Sequence, residues 1–241
     1  MTMPSAIFLP LLILHIAAGL VALSSGVVAM VSRKSGGGLH ARAGHYFYLS
    51  MSAMAVSAAL LTAWEPDRLS LGAAIWTFYL VHTSRQSAIS RAGKLDRVSQ
   101  WLAPVGLFAT LLFLHGGLIA LDSANGEFQD MPATAYFVFG SLASLSLLFD
   151  LSVLYRGGLQ PRQRVARHLW RMMAAYFLAA TSLFLGQQDD VFPFMKGSPI
   201  LLLPSLFTLG FLTFWAIRVR FARNWLGNRS ANAAQAKLAQ I

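Results

Sequence analysis

The chain reads as an all-α integral membrane protein: one seven-transmembrane-helix bundle over residues 1–221, N-terminus outside and C-terminus cytoplasmic, with a tail at 222–241. Three observations predict this. Of 241 residues, 56% are hydrophobic and 12% charged, with a mean hydropathy of +0.57; a soluble domain carries roughly 25% charged residues to keep its surface wet. The apolar residues gather into seven runs near the ~20 residues needed to cross ~30 Å of hydrocarbon. The connections between them alternate between basic and acidic.

The first run covers 6–31. No positive residue precedes it, and it far exceeds the roughly 7–15-residue core of a signal peptide, so a retained helix is expected. "SRKSGGGLHARAG" ends it, and the second span covers 44–64. "EPDR" leads to the third at 70–90, "RAGKLDR" to the fourth at 100–121, and "LDSANGEFQDMP" to the fifth at 134–155. "YRGGLQPRQR" precedes the sixth at 167–187, and "GQQDDVFPFMKGSP" the seventh at 198–219. These breaks are rich in Gly, Pro, Asn and charge, the usual punctuation of turns. The Asn- and Ala-rich tail is expected to be a short amphipathic helix or disordered.

Charge sets the expected orientation, because cytoplasmic connections are enriched in Lys and Arg. Arg33, Lys34 and Arg42 mark the first connection, Arg85, Arg91, Lys94 and Arg97 the third, and Arg156, Arg162, Arg164, Arg167 and Arg171 the fifth. The tail adds Arg218, Arg220, Arg223, Arg229 and Lys237, leaving only Arg68 and Lys196 of the 19 basic residues for the other side. That side instead holds Glu65, Asp67, Asp122, Glu127, Asp130, Asp189 and Asp190. The net charge of +10 therefore reports membrane orientation, and no nucleic-acid partner is implied. Trp64, Trp101, Trp170 and Trp225 fall near the expected interfaces, where indoles are enriched. Gly19, Gly26, Gly72, Gly106, Gly140, Gly186 and Gly210 are candidates for close helix contact.

With no cysteine in the chain, thiolate chemistry is excluded, and the six histidines become the candidate ligands. At ~1.5 Å per residue, His15 in "LLILHIAAG" and His115 in "LLFLHGG" reach a similar depth on antiparallel helices. Small neighbours flank both, so the pair is a candidate for a metal or haem site in the outer half of the membrane. The other four, His40, His45, His82 and His168, fall in the inner half. An inner axial pair drawn from His45, His82 and His168 would complete a two-haem arrangement. His40 ranks last, because a glycine-rich loop holds it less rigidly.

Asp150 is the sole acid inside a span, where an unpaired carboxylate is costly. Arg171 and Arg85 lie at comparable depth, so Asp150 is expected to pair with one of them. The set then serves as a proton relay, as an anchor for a propionate-like anion, or as a plain structural ion pair. Tyr48, Ser52 and Tyr79 offer hydroxyls in the same layer.

Two stretches carry a resemblance. "LHARAGHYFYLSM" resembles the Leu-His-x-Arg-x-Gly element of a family of uncharacterised bacterial multi-span membrane proteins, and "RHLWRMMAAYF" is similar to that family's His-x-x-Trp opening of a late span. The likeness covers about a third of the chain and implies motif roles for His40, Arg42, Gly44, His168 and Trp170, with no established activity. In arrangement alone, paired intramembrane histidines resemble di-haem cytochromes of the b561 and ferric-reductase kind.

The function expected from these residues is that of a b-type haem protein, with one or two haems, in the bacterial inner membrane. It would carry electrons within or across the bilayer from a quinol-like donor, alone, as a homo-oligomer or with a membrane redox partner. The enzyme-class alternative is a seven-span zinc hydrolase using His45, His82, His168 and Asp150. A transporter or structural membrane subunit is the third reading. Rhodopsin-like chemistry is disfavoured, because the last span has no lysine.

Overall fold

Helices account for nearly all the regular structure in the computed structural model, which describes residues 5–34, 38–64, 67–90 and 97–221. The expected tail, with Trp225, and the charges Glu65, Arg91 and Lys94 lie outside the described residues. The helices are α1 (Ser5–Val31), α2 (Leu39–Trp64), α3 (Arg68–Ile89), α4 (Arg97–Asp122), α5 (Ala133–Tyr155), α6 (Pro161–Thr181), a short α7 (Gln188–Val191) and α8 (Leu203–Phe221). A π-helical turn, Ser182–Gly186, extends α6. A two-residue-per-strand hairpin, Glu127–Phe128 with Met131–Pro132, closes the α4–α5 connection, and Gln129 and Asp130 make its turn at φ 51° and 58°.

Each of the first four helices packs on the next in sequence, as short connections between antiparallel neighbours favour. The order then breaks: α6 returns to lie against α3 and also touches α1, and α8 docks on α6. Helix α3 thus sits at the centre, in contact with α2, α4, α5 and α6. Its Trp76, Tyr79, Leu80 and Val81 form the core with Phe113 of α4 and Met173 of α6. Close approach relies on glycine at chosen places. A Cβ on Gly106 would come within 2.9 Å of the Tyr79 ring, and one on Gly26 within 2.6 Å of Tyr176.

The span count is corrected here. Of the eight α-helices among the described residues, five segments are long and apolar enough to cross a membrane: Ala6–Val31, Arg97–Asp122, Ala133–Tyr155, Pro161–Gly186 and Pro199–Val219. The seven-span bundle is therefore not found, and the N-outside, C-inside assignment, which rested on seven alternating spans, falls with it. Helices α2 and α3 fail on composition rather than length. The α2 sequence carries His40, Arg42 and His45, while α3 carries His82, Thr83, Ser84, Arg85, Gln86 and Ser87. The small polar groups of α3 are spent inside the molecule, since Thr77, Thr83, Ser84 and Ser87 are all buried, whereas Arg42 and His45 of α2 are exposed. The molecule is a multi-pass, all-α membrane protein whose lipid-exposed apolar surface is supplied chiefly by the other long helices.

Two helix starts differ from expectation in ways that matter for the site. Helix α2 begins at Leu39, so His40 is a helical residue. Helix α6 begins six residues before the expected sixth span, with Pro161 at its first position, where the missing N–H costs nothing. The Gln160 N–H is taken by Gln163 Oε1 at 3.0 Å. This puts Arg164, Arg167, His168 and Arg171 on one rigid helix.

Candidate ligand cavity and buried charge network

Two polar assemblies meet on either side of α6. One face presents Arg167 and Arg171, one turn apart, to α3 and α5. Asp150 of α5 receives both: Arg167 Nη2 lies 2.9 Å and Arg171 Nη2 2.5 Å from Oδ1. Arg171 Nη1 reaches Oδ2 at 3.1 Å, and the Tyr79 hydroxyl donates to the same oxygen. Further donor bonds run from Arg171 to Thr83 Oγ1 and to the Ser146 carbonyl, and from Arg167 Nη1 to Ser87 Oγ at 2.9 Å. Asp150 is 2% exposed, Arg171 0% and Arg167 7%.

With both carboxylate oxygens committed to donors, the arrangement suits an anchor that ties α3, α5 and α6 together. It holds two guanidinium charges against one carboxylate. Arg171 Nε is the one buried side-chain nitrogen or oxygen among the described residues that lacks a hydrogen-bond partner. Arg85, the other expected partner of Asp150, is elsewhere: its guanidinium stacks 4.8 Å from the Tyr48 ring centroid. Sequence reasoning missed Arg167 as a partner of Asp150, although Pro161, favoured at a first helical position, was a signal that the helix began early enough to include it.

The other face of α6 lines a cavity of about 400 Å³, within the range of roughly 300–1,000 Å³ typical of small-molecule sites. Met30 of α1, Phe47 of α2, Met173 and Tyr176 of α6, and Phe211 and Trp215 of α8 supply apolar wall. His40, His45, His168, Lys34 and Arg85 supply its polar part, and among the described residues no acidic side chain lines it. All of these polar groups come from the ends of helices gathered at the basic end of the bundle. Outside the spanning segments, burial pushes the pKa of the Lys34 ammonium below the ordinary lysine value.

Hydrogen bonding assigns the imidazole tautomers, because a carbonyl can only accept and an arginine can only donate. His40 Nδ1 lies 2.8 Å from the Ala29 carbonyl, so it carries the proton and leaves an Nε2 lone pair. Ser84 Oγ donates to the His168 carbonyl at 2.9 Å, which leaves that oxygen, 3.1 Å from His168 Nδ1, as an acceptor. His168 therefore also keeps an Nε2 lone pair. His82 and His15 follow the same pattern, bonded to the Phe78 and Met54 carbonyls at 2.9 Å and 3.1 Å. His115 is the reverse: its Nδ1 accepts from Arg68 Nη1 at 2.6 Å, so its free nitrogen is an N–H donor.

The expected outer pair is not brought together. His15 faces α2, where Ser57 Oγ also lies 3.2 Å from its Nδ1. His115 faces the start of α3, and α1 and α4 lie apart in the packing order. The inner set is divided as well. His82 stacks on Phe78 with centroids 3.8 Å apart and does not line the cavity, His45 is exposed at the rim, and Asp150 is held in the network. The four proposed zinc ligands do not converge, and among the described residues no group of three or more His, Asp or Glu could hold a metal ion. What the structure does bring to one cavity is His168, His45 at its rim, and His40, the last of these ranked lowest from sequence. Of the other motif positions, Gly44 lines the cavity, Arg42 is exposed, and Trp170 packs beside Arg171 and Phe149.

No protein-family model, curated protein or solved structure matches the chain.

Proposed function

We propose that this multi-pass membrane protein binds one haem b in the cavity at its basic end, with His40 and His168 as iron ligands, and serves as an electron carrier in the bacterial inner membrane. One observation carries the reading. Two imidazoles, each anchored through Nδ1 on a backbone carbonyl or serine and so left with an Nε2 lone pair, line the same largely apolar cavity. A second-sphere acceptor that fixes the tautomer is the usual preparation of a metal-ligating histidine. The walls fit the group too, since an apolar macrocycle calls for Met, Phe, Tyr and Trp rather than charge.

When bound, haem supplies reversible one-electron chemistry whose potential depends on axial ligands, hydrogen bonding and burial. The chain's own residues do the rest. Ala29 and Ser84 hold the imidazoles in register, Met173 and Tyr176 exclude water, and the Asp150 network keeps α6 fixed against α3. Quinol in the surrounding bilayer is the proposed electron donor. The outer two-histidine site forms no part of this proposal.

The test is the absorption spectrum of detergent-purified protein from haem-replete cells, oxidised and then reduced with dithionite. A Soret band and split visible bands are expected, and His40→Ala and His168→Ala should each abolish them. His15→Ala and His115→Ala should leave them in place. A colourless wild-type protein, or haem loss only in the His15 and His115 variants, would overturn the proposal.

A further inference from the structure

We propose that Lys34 and Arg85 make the cavity selective for apolar molecules that carry an anionic end; this rests on the cavity being a ligand site but not on the ligand being haem. The two cations come from separate elements, Lys34 just beyond α1 and Arg85 on α3, and both line the cavity. Each is seated on aromatic rings. Lys34 Nζ lies 4.8 Å from the Trp215 centroid and 5.7 Å from that of Phe211, and donates to the Met30 carbonyl. The Arg85 guanidinium lies 4.8 Å from the Tyr48 centroid.

Ring faces attract a cation without neutralising it. Neither side chain has a carboxylate partner among the described residues, where the ion pairs are those of Asp150 with Arg167 and Arg171 and of Lys196 with Asp189. Among the described residues, the cavity wall contains no acid. On the far side of α6, the Asp150 network holds two guanidinium groups against one carboxylate, so it offers no surplus negative charge. A neutral head group would leave both cations unpaired against apolar wall. A carboxylate or phosphate would satisfy them, and the guanidinium fork and the ammonium are the two donor types that recognise such anions.

Haem propionates and the head of a fatty acyl chain share this chemistry, and a paired ligand series separates them. In detergent micelles, quenching of Trp215 by a dibrominated long-chain fatty acid is compared with quenching by its methyl ester. The Trp215→Phe variant gives the background from the other five tryptophans of the six in the chain. Because a charge-assisted pair lost to esterification weakens binding about ten-fold or more, wild type should bind the acid at least about ten-fold tighter than the ester. The Lys34→Gln/Arg85→Gln double variant should bind both alike, while Lys34→Arg and Arg85→Lys should keep the preference. Equal binding of acid and ester by wild type, or a preference that survives the double variant, would overturn the inference.

Titration with haem and with haem dimethyl ester forms the second arm. Preference for haem over its ester identifies the propionates as the anion. If haem fails to bind while the fatty acid is still preferred over its ester, the anion selectivity stands, the occupant is an acyl chain, and only the haem reading falls.

Discussion

Ser84 and His168 are tied twice across the α3–α6 interface: Ser84 Oγ donates to the His168 carbonyl at 2.9 Å, and His168 Nδ1 lies 3.1 Å from that same oxygen. The neighbouring Thr83 and Ser87 bond to Arg171 and Arg167. One short stretch of α3 thus serves the buried charges on one side of α6 and the cavity imidazole on the other.

Ser84→Ala removes one of the two acceptors of the His168 Nδ1–H, the hydroxyl at 3.1 Å, and leaves the Ser84 carbonyl at 3.3 Å and the ligating nitrogen in place. Loss of such an outer partner typically costs roughly 10–100-fold in metal affinity. Haem titration should show a loss at the lower end of that range, because the Ser84 carbonyl still takes the proton, with thermal stability little changed; an unaltered affinity would remove the Ser84 hydroxyl from the site.

Asp150→Asn leaves Arg167 and Arg171 buried without a counter-charge. Breaking a buried pair from one side costs about 3–5 kcal/mol, and the loss should appear in thermal unfolding of the detergent-solubilised protein. Adding Arg171→Met should recover part of it, because one stranded charge is then gone. A double variant that is additive or worse would show that the cluster is not electrostatically coupled.

Gly106→Ala places a methyl group 2.9 Å from the Tyr79 ring. Tyr79 is fully buried and donates to Asp150, so the ring cannot yield freely. Overpacking of this kind costs about 1–3 kcal/mol, measurable as a lowered unfolding midpoint. Gly210→Ala, where a Cβ meets open space, is the control and should be neutral.

Anion binding should weaken as pH rises, because burial already lowers the Lys34 pKa and the bound anion favours the protonated ammonium. The complex therefore takes up a proton over the window that begins at the lowered pKa of the free protein. Fatty-acid affinity measured against pH should fall through that window. In Lys34→Arg, where the charge persists to pH above ~12, the fall should vanish.

Much of the fold was legible in the sequence because its signals are local. Gly, Pro and charged breaks mark where helices stop, and six of the expected spans agree with observed helices to within a few residues. The sixth started late because Pro161 was counted as connection, although proline is favoured at a first helical position. That one boundary hid Arg167. His40 was undervalued for a similar reason: the glycines before it suggested a loop, yet α2 begins at Leu39 and holds its ring against Ala29. The span count failed because length and the absence of long charged interruptions outweigh mean apolarity in such a reading, while α2 opens on His40, Arg42 and His45 and α3 carries Thr83, Ser84 and Ser87 into the interior.

The sequence by itself determined that this is a helical membrane protein whose connections alternate between basic and acidic, since composition, apolar run length and turn punctuation act residue by residue along the chain. It also placed Asp150 at the depth of Arg171. Only the tertiary structure decided which helices touch. Depth along a helix is one coordinate, while the direction a side chain faces and the neighbour it meets depend on how α6 packs back against α3. That packing separates His15 from His115, turns Arg85 away from Asp150, and brings His40 to the same cavity as His168.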